Sequence, residues 1–337
     1  MRALIIHKPF EMRVGNWQTP RPQPGEVVVA VATAGVCAGD LFMYQGKNPY
    51  ATYPVIGGHE IAGIISAVGE GVESVQPGTP VVVEPFISCG GCYPCRVGKP
   101  NCCTNLRIVG VHRPGGFADY VAVPAANVYP VPPGLPLAKA VIAEPVSIAL
   151  QACRRGEVTE KDTVLVMGCG PIGMYLIEVA RARGARVLAA DVNPERLAVA
   201  ARLGAVALPS DAELPRNVLE CTNGEGVPVV IEATGVPAVV EQTVDLVAAG
   251  GRIVIVGLVK GGVGVTFPGL DFTRKELTIL GSRTEVNCFP ESLRLLASGA
   301  VRFAEMSTFV SMWQAPKLFA ALARQPSEMH KAVLVRE

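Results

Sequence analysis

Hydrophobic residues follow two different patterns along this chain, with the change near Glu144. Before it, short alternating or continuous apolar runs, such as residues 26–31 and 61–68, are separated by turns rich in proline and glycine. Such runs predict a mostly antiparallel β domain. After it, β-branched runs of strand length alternate with segments of helical spacing, which predicts a doubly wound parallel sheet.

The parallel sheet is predicted from five apolar runs and the helical segments between them. The strands are expected at residues 163–167, 186–191, 228–232, 252–256 and 277–280, with helices near 194–203 and 239–248. Beyond Arg283 the pattern indicates a helix, a loop and a closing strand at 331–335 that returns to the first domain. The predicted domains are residues 1–145 with 285–337, and residues 146–284. The run 252–263 is expected to be a sheet edge able to pair between subunits.

A glycine-rich turn joins the first strand of this sheet to a helix, and its residues are Gly168, Gly170, Pro171, Ile172 and Gly173. The first glycine lets the chain turn, the second lets the backbone approach a pyrophosphate, and the third lets helix pack on strand. The N-terminus of the following helix offers unpaired N–H groups to an anion. Strand, glycine turn and helix together predict a dinucleotide site.

An acidic residue stands where a ribose would be recognised. Asp191 ends the second strand, about 20 residues beyond the glycines, the spacing typical of a carboxylate that binds a ribose 2′-hydroxyl. A carboxylate there favours NAD over NADP, because it repels a 2′-phosphate. The predicted cofactor site also includes Arg196, Thr234 and Gly257.

Composition excludes several classes of partner. The chain has 337 residues and a formal net charge of +1, without a basic block or an acidic tail, so nucleic acid and acidic membrane surfaces are not expected partners. No uncharged run reaches membrane-spanning length, and the first apolar run is too short for a signal peptide. We therefore expect a cytoplasmic protein.

Five of the ten cysteines lie between Cys89 and Cys103, and such clustering indicates metal rather than disulfides. Cys89, Cys92, Cys95 and Cys103 supply four thiolates, the ligand set of a closed structural zinc site. The neighbouring Cys102 is an alternative to Cys103 that spacing alone does not exclude.

A second, dispersed group contains the ligand types of a catalytic zinc. Cys37, the pair His59-Glu60, and Glu144 offer a thiolate, an imidazole and two carboxylates. Three such ligands leave one position of the metal for water or substrate.

The chain resembles the zinc-dependent medium-chain dehydrogenases over essentially its whole length. The motifs that carry the resemblance are Gly35-Val36-Cys37, Gly58-His59-Glu60, the four-cysteine lobe at 89–103, Glu144-Pro145, and the glycine turn with Asp191. Residues 48–54, 92–101 and 109–112 with 115–117 are similar to the polyol and sugar-acid branch, whose members include sorbitol dehydrogenases and enzymes that oxidise L-galactonate or L-gulonate.

The resemblance implies a GroES-like catalytic domain, a Rossmann cofactor domain and a cleft between them. It implies two zinc ions per subunit, with the catalytic ion held by Cys37, His59 and either Glu60 or Glu144. It also implies a small polyol or aldonate substrate, NAD as hydride acceptor, and a homodimer or homotetramer. Arg283 lies where this branch often places a substrate-binding arginine, and His112 and Lys47 are weaker candidates.

Two positions depart from the pattern of the family. The residues two and five after Cys37 often carry the alcohol proton to solvent, but here they are Gly39 and Phe42, which have no group that can do so. Asp40 is expected to orient the metal ligands instead. The proton then has to pass through Glu60, Glu144, water, Tyr44 or a substrate hydroxyl. Two alternative functions stay open, a simple alcohol or threonine-type dehydrogenase and a non-catalytic protein that binds NAD and zinc.

Overall fold

The computed structural model describes residues 1–324 and 330–337, and the chain divides into two compact units. Unit 1 comprises Met1–Glu144, Phe289–Gly299 and the described residues of Ala304–Glu337, and unit 2 comprises Pro145–Cys288 and Ala300–Phe303. The predicted domain limits differ from this division at residues 145, 285–288 and 300–303. The chain thus makes most of unit 2 as an insertion and then returns to unit 1.

Short strands dominate the first 130 residues, and helices alternate with strands from residue 143 to residue 281. The strands are β1 (Arg2–Lys8), β2 (Glu11–Asn16), β3 (Glu26–Val36), β4 (Glu60–Val68), β5 (Pro80–Val83), β6 (Phe86–Ile87), β7 (Arg107–Ile108), β8 (Tyr120–Pro124), β9 (Val128–Pro130), β10 (Thr163–Met167), β11 (Arg186–Asp191), β12 (Val206–Pro209), β13 (Val227–Glu232), β14 (Val247–Ile255), β15 (Thr278–Gly281), β16 (Thr308–Ser311) and β17 (Ala332–Val335). The α-helices are α1 (Ala38–Tyr44), α2 (Tyr93–Arg96), α3 (Leu137–Ala140), α4 (Ala143–Arg155), α5 (Pro171–Ala182), α6 (Pro194–Arg202), α7 (Leu214–Cys221), α8 (Pro237–Leu246), α9 (Gly269–Arg274), α10 (Phe289–Ala297) and α11 (Ala315–Leu322).

Unit 1 is built on a sheet with the strand order β16-β17-β3-β4-β5-β9, and β8 also pairs with β3. Its pairs are antiparallel except β16 with β17, which confirms the predicted mostly antiparallel β domain. The closing strand, β17, belongs to unit 1 as predicted, and it pairs with β3. The core of the unit contains fully buried side chains such as Leu4, Val29, Phe117 and Phe319.

Unit 2 is built on a six-stranded sheet with the order β12-β11-β10-β13-β14-β15. Every pair in it is parallel, and β10, β11 and β13 are almost wholly buried, which is why they read as continuous apolar runs. The predicted α/β fold class with a doubly wound parallel sheet is confirmed. The order reverses between β10 and β13, and parallel sheets bind ligands at such a point, beyond the carboxyl ends of the strands.

Two features of this sheet differ from the sequence predictions. The apolar pattern does not predict β12, because this strand has only four residues and just one of them is fully buried. The prediction that the run 252–263 is a sheet edge is wrong: β14 lies between β13 and β15, so the edge strands are β12 and β15. The residues of this run after Ile255 are not part of the sheet. An apolar run such as β14 is compatible with a central strand and with an edge strand that pairs between subunits, so the sequence pattern does not distinguish these two positions in the sheet.

Among the helices in the described ranges 1–324 and 330–337, none is long and apolar enough to cross a membrane.

Candidate active site

The four-cysteine lobe is formed by a tight loop around a short helix. The thiol sulfurs of Cys89, Cys92, Cys95 and Cys103 all lie within 4.8 Å of one another. Cys92 precedes α2, and the backbone N–H groups of Cys95 and Thr104 lower the pKa of its thiol to about 5, whereas burial raises the pKa of the neighbouring Cys95 to about 11 in the metal-free lobe. A thiolate is the form that binds metal, and four thiolates suit a closed tetrahedral zinc site.

The structure distinguishes between the two neighbouring cysteines at the end of the lobe. Cys103 is buried, and its sulfur accepts hydrogen bonds from the N–H groups of Cys89 and Asn105, both at 3.3 Å. Cys102 is exposed and lies outside the group. Cys103, and not Cys102, therefore completes the group of four converging sulfurs.

A second group of metal-ligand side chains forms where β3 and β4 meet. Cys37 follows β3 and His59 precedes β4, and the register of the two strands places Gly35 opposite Glu60. Antiparallel pairing thereby brings together residues that are more than 20 positions apart. Ligand atoms of Cys37, His59 and Glu60 all lie within 4.8 Å of one another.

A buried carboxylate orients two of these ligands. Asp40 is fully buried, its Oδ2 accepts the N–H of Cys37 at 3.0 Å and its Oδ1 accepts the N–H of Gly58 at 3.0 Å. His59 Nδ1 lies 3.6 Å from Oδ1 of Asp40, so a proton on Nδ1 would face this carboxylate, and Nε2 would then be the ring nitrogen left for a metal. Burial raises the pKa of Asp40, but in the metal-free protein the charge of a protonated His59 and these hydrogen bonds outweigh burial and lower that pKa overall.

Glu60 is held by a buried cation from the far end of the chain. Lys331 Nζ donates to Glu60 Oε1 at 2.5 Å and to the carbonyl of Val36 at 3.1 Å. Both side chains are almost fully buried, with 4% of Lys331 and 1% of Glu60 exposed. Glu60 Oε2 is buried and has no hydrogen-bond partner among the described residues, and so it is available to a metal ion. This orphaned oxygen fits the ligand set of a zinc site.

Glu144, the alternative carboxylate ligand, also lies in unit 1, close enough to Lys331 for its charge to act on that lysine. It is buried, with 5% of its surface exposed, in the first turn of α4. It is not one of the side chains that converge with Cys37. Burial lowers the pKa of Lys331, but the charges of Glu60, Cys37 and Glu144 outweigh this effect and raise it overall.

The glycine turn of unit 2 has the geometry its sequence predicts. Gly168 has a φ of 96°, and a side chain there would meet Thr234 Cγ2 at 2.6 Å. A Cβ on Gly173 would lie 1.8 Å from the carbonyl oxygen of Gly168, so helix and strand pack closely at this point. Gly170 precedes α5, whose first two residues are Pro171 and Ile172, and a Cβ there would meet no described residue within 4 Å. That open space suits the approach of a pyrophosphate to the helix N-terminus.

Asp191 lies beside this turn at the end of β11. Its Oδ2 accepts the N–H of Cys169 at 2.7 Å, and its Oδ1 accepts the N–H of Asn193 at 2.8 Å. Arg196 Nη1 lies 3.9 Å from Oδ2, so Arg196 faces Asp191 as an ion-pair partner. The carboxylate is therefore fixed before any ligand binds.

Two family models match this chain, one within unit 1 and the other mostly within unit 2. Residues 23–133 match the alcohol dehydrogenase GroES-like domain, and residues 171–298 match the zinc-binding dehydrogenase domain. The starvation-sensing protein RspB of Escherichia coli K12 is 39% identical over 91% of this chain and 91% of its own. The chain belongs to the zinc-dependent medium-chain dehydrogenase superfamily. It is an oxidoreductase of the polyol and sugar-acid branch, as the sequence resemblance predicts.

Two further similarities concern a relative and a solved structure. L-galactonate-5-dehydrogenase of E. coli K12 is 36% identical to this dehydrogenase over 91% of each chain. The crystal structure of a short chain alcohol dehydrogenase (rspB) from E. coli CFT073, complexed with NADH, has a TM-score of 0.93 and 36% identity. The match covers 99% of each chain.

Three positions considered for proton transfer, Gly39, Phe42 and Tyr44, differ in their surroundings in this dehydrogenase. A Cβ at Gly39 would have His59 Cε1 at 3.8 Å, so this position faces the candidate site but carries no proton-transfer group. Phe42 is about half exposed. Tyr44 is buried and its hydroxyl donates to the carbonyl of Phe10 at 3.3 Å, which makes it part of the core and removes it from the candidates for a proton route.

The three candidate substrate-binding residues are all exposed. Arg283 is exposed, follows β15 and belongs to unit 2. His112 is exposed, and its Nδ1 accepts the N–H of Ile108 at 3.0 Å, which leaves Nε2 as the donor of a neutral ring. Lys47 is exposed as well. Their role in substrate binding stays a prediction.

Replacing Asp40 with asparagine is expected to weaken zinc binding at the Cys37 group about 10- to 100-fold, because His59 loses the carboxylate that orients it. Competition with a chelator measures this affinity. Asp119→Asn is the control, since Asp119 also accepts a backbone N–H in unit 1, that of Arg2 at 2.7 Å, but lies outside the group. Equal zinc affinities for Asp40→Asn and the wild type would contradict the expected role of Asp40.

Proposed function

We propose that this dehydrogenase oxidises a secondary hydroxyl of a polyol or sugar acid, such as L-galactonate or L-gulonate, to the ketone with NAD. The observation that carries the proposal is the convergence of Cys37, His59 and Glu60, with one carboxylate oxygen left without a partner among the described residues. The similarity to L-galactonate-5-dehydrogenase supports the substrate class.

Two zinc ions per subunit are part of this proposal. One, held by the four-cysteine lobe, stabilises the loop and takes no part in the reaction. The other, held by Cys37, His59 and Glu60, supplies a Lewis acid that lowers the pKa of the substrate hydroxyl, while NAD supplies the hydride acceptor. Asp40 orients His59, and Lys331 holds Oε1 of Glu60 while Oε2 keeps no hydrogen-bond partner among the described residues.

NAD rather than NADP is the proposed cofactor. A carboxylate accepts a hydrogen bond from a free ribose 2′-hydroxyl and repels a 2′-phosphate. Asp191 is already oriented by two backbone N–H groups. Arg196 lies beside Asp191, whose negative charge partly neutralises it, so Arg196 attracts a 2′-phosphate less strongly than an unpaired arginine would.

Replacing Asp191 with alanine is expected to raise the Kd for NADH about tenfold or more, because a charge-assisted hydrogen bond to the ribose is lost. The discrimination against NADPH should fall at the same time. Fluorescence titration with both nucleotides measures these constants. Asp211→Ala, at an exposed position of unit 2, is the control, and an Asp191→Ala variant with an unchanged ratio of the two affinities would sink the assignment.

Glu144 is the proposed acceptor of the substrate proton, since Oε1 of Glu60 is engaged by Lys331 and Tyr44 is part of the core. Glu144→Gln is expected to slow hydride transfer by about 10²-fold or more, the usual contribution of a general base. Single-turnover formation of NADH measures the step, with zinc content determined on the same sample. An unchanged rate would remove Glu144 from the mechanism.

The substrate class is tested by incubating the zinc-loaded protein with NAD and following NADH absorbance. The panel contains alditols, aldonates, threonine and simple alcohols. Activity on aldonates or alditols supports the proposal. Activity only on threonine or simple alcohols supports the first alternative, and tight NADH binding without any turnover supports a non-catalytic protein.

The proposed assembly is a homodimer or homotetramer. β15 lies at one edge of the parallel sheet, and an edge strand of this kind is able to pair with the same strand of a second copy.

A further inference from the structure

One buried carboxylate of unit 2 has no place in the function proposed so far. Glu232 ends β13 and is fully buried. β13 is adjacent to β10, which leads into the glycine turn, and the carboxyl ends of these strands lie at the same edge of the sheet. Glu232 therefore lies beside the proposed cofactor site without being part of the glycine motif.

The side chain of Glu232 accepts several hydrogen bonds from the loop that follows it. Its Oε1 accepts the N–H of Thr234 at 2.6 Å, the N–H of Gly235 at 3.0 Å, and the hydroxyl of Thr234. A carboxylate is acceptor-only, and every one of these partners is a donor. The side chain thus fixes the backbone and the side chain of Thr234 together.

The same carboxylate lies against the loop after β14. Gly257 donates its N–H to the backbone carbonyl of Glu232 at 3.1 Å. A Cβ on Gly257 would lie 2.7 Å from Glu232 Oε2 and 2.0 Å from the N of Gly235. The two loops therefore pack directly on each other and on the Glu232 carboxylate, with no room for a side chain between them.

Thr234 connects this arrangement to the glycine turn. A Cβ on Gly168 would meet the Thr234 methyl at 2.6 Å, so the methyl already fills the space above that glycine. The loops after β10, β13 and β14 are thus packed on one another, and Glu232 is the charged group on which Thr234 and Gly257 converge.

We infer that Glu232 is the positioning residue of the cofactor site, acting through Thr234 and Gly257. This inference rests on the proposed NAD site. The Thr234 hydroxyl gives its proton to Glu232 and accepts the N–H of Val236 at 3.0 Å. Toward a ligand this oxygen has no proton to offer, so it accepts a hydrogen bond from an N–H or O–H group of the nucleotide.

NADH binding to the purified full chain tests the inference without substrate turnover. Glu232→Gln keeps the shape of the side chain but removes its charge and half of its acceptor capacity. We expect the Kd for NADH to rise about tenfold, because Thr234 is no longer held in the orientation in which its oxygen accepts from the nucleotide. The backbone N–H groups of Thr234 and Gly235, which donate to Glu232, should also exchange with solvent faster in this variant. Thr234→Val, which keeps the methyl over Gly168, is expected to raise the Kd similarly, and the double variant should show less than the sum of the two effects.

Glu178→Gln separates positioning from general stability. Glu178 is also buried in unit 2, and it accepts the N–H groups of Arg302 and Phe303 at 2.7 and 3.0 Å, but it lies in α5 away from these loops. We expect Glu178→Gln to lower Tm without changing the Kd for NADH. An unchanged Kd in Glu232→Gln would overturn the inference while leaving NAD binding intact. If Glu232→Gln does not fold, an unchanged Kd in Thr234→Val overturns it, and a wild-type chain that does not bind NADH overturns both the inference and the proposed cofactor.

Discussion

Cys37→Ala is expected to lower kcat/KM by about 10³-fold or more, which corresponds to a loss of several kcal/mol of charge stabilisation in the transition state. The thiolate is the softest of the converging ligands, and without it His59 and Glu60 alone hold a zinc ion weakly. Steady-state kinetics on the best substrate and elemental analysis measure the two effects. The variant should retain only the zinc of the four-cysteine lobe.

Cys102→Ala is the matched control for this prediction. Cys102 is an exposed cysteine beside the lobe, outside both groups of converging ligands. Its variant should keep both zinc ions and full activity. Wild-type zinc content and activity in Cys37→Ala would show that the reaction does not use this site.

Lys331→Met should lower the free energy of unfolding of unit 1 by about 3–5 kcal/mol, the cost of leaving one member of a buried ion pair without its partner. The loss should be larger after zinc is removed, because a bound cation offsets part of the charge of Glu60. Trp17 and Trp313, the two tryptophans of the chain, both lie in unit 1, so urea denaturation followed by their fluorescence reports this unit.

The double variant Lys331→Met/Glu60→Gln controls for the loss of the lysine side chain itself. With the buried negative charge removed as well, much of the stability should return in the metal-free protein. A single variant as stable as the wild type would mean that Glu60 does not depend on Lys331.

The features predicted best from the sequence are those whose parts lie close together in the chain. Three of the four lobe cysteines fall within seven residues, and strand, glycine turn and Asp191 fall within one βαβ unit. Local backbone geometry decides such sites, as the open space at Gly170 and the fixed Asp191 show. Spacing alone does not choose between Cys102 and Cys103, because that choice depends on which thiol is buried.

Features that depend on strand pairing across long stretches of chain were not predictable. Lys331 and Glu60 are 271 positions apart, and only the pairing of β17 with β3 places that lysine near Val36. The sequence does show a signal, a lysine directly before an apolar strand, but not its partner. The edge position of β15 likewise depends on sheet order, which apolar runs do not encode.

The interrupted course of unit 1 has a consequence for biosynthesis. β17, which pairs with β3 near Cys37, is translated only after all six strands of the parallel sheet. A ribosome therefore releases the complete insertion, which has a core of its own, before the first unit can close its sheet. Nascent chains should pass through a stage in which unit 2 is folded while Glu60 has not yet formed its ion pair with Lys331.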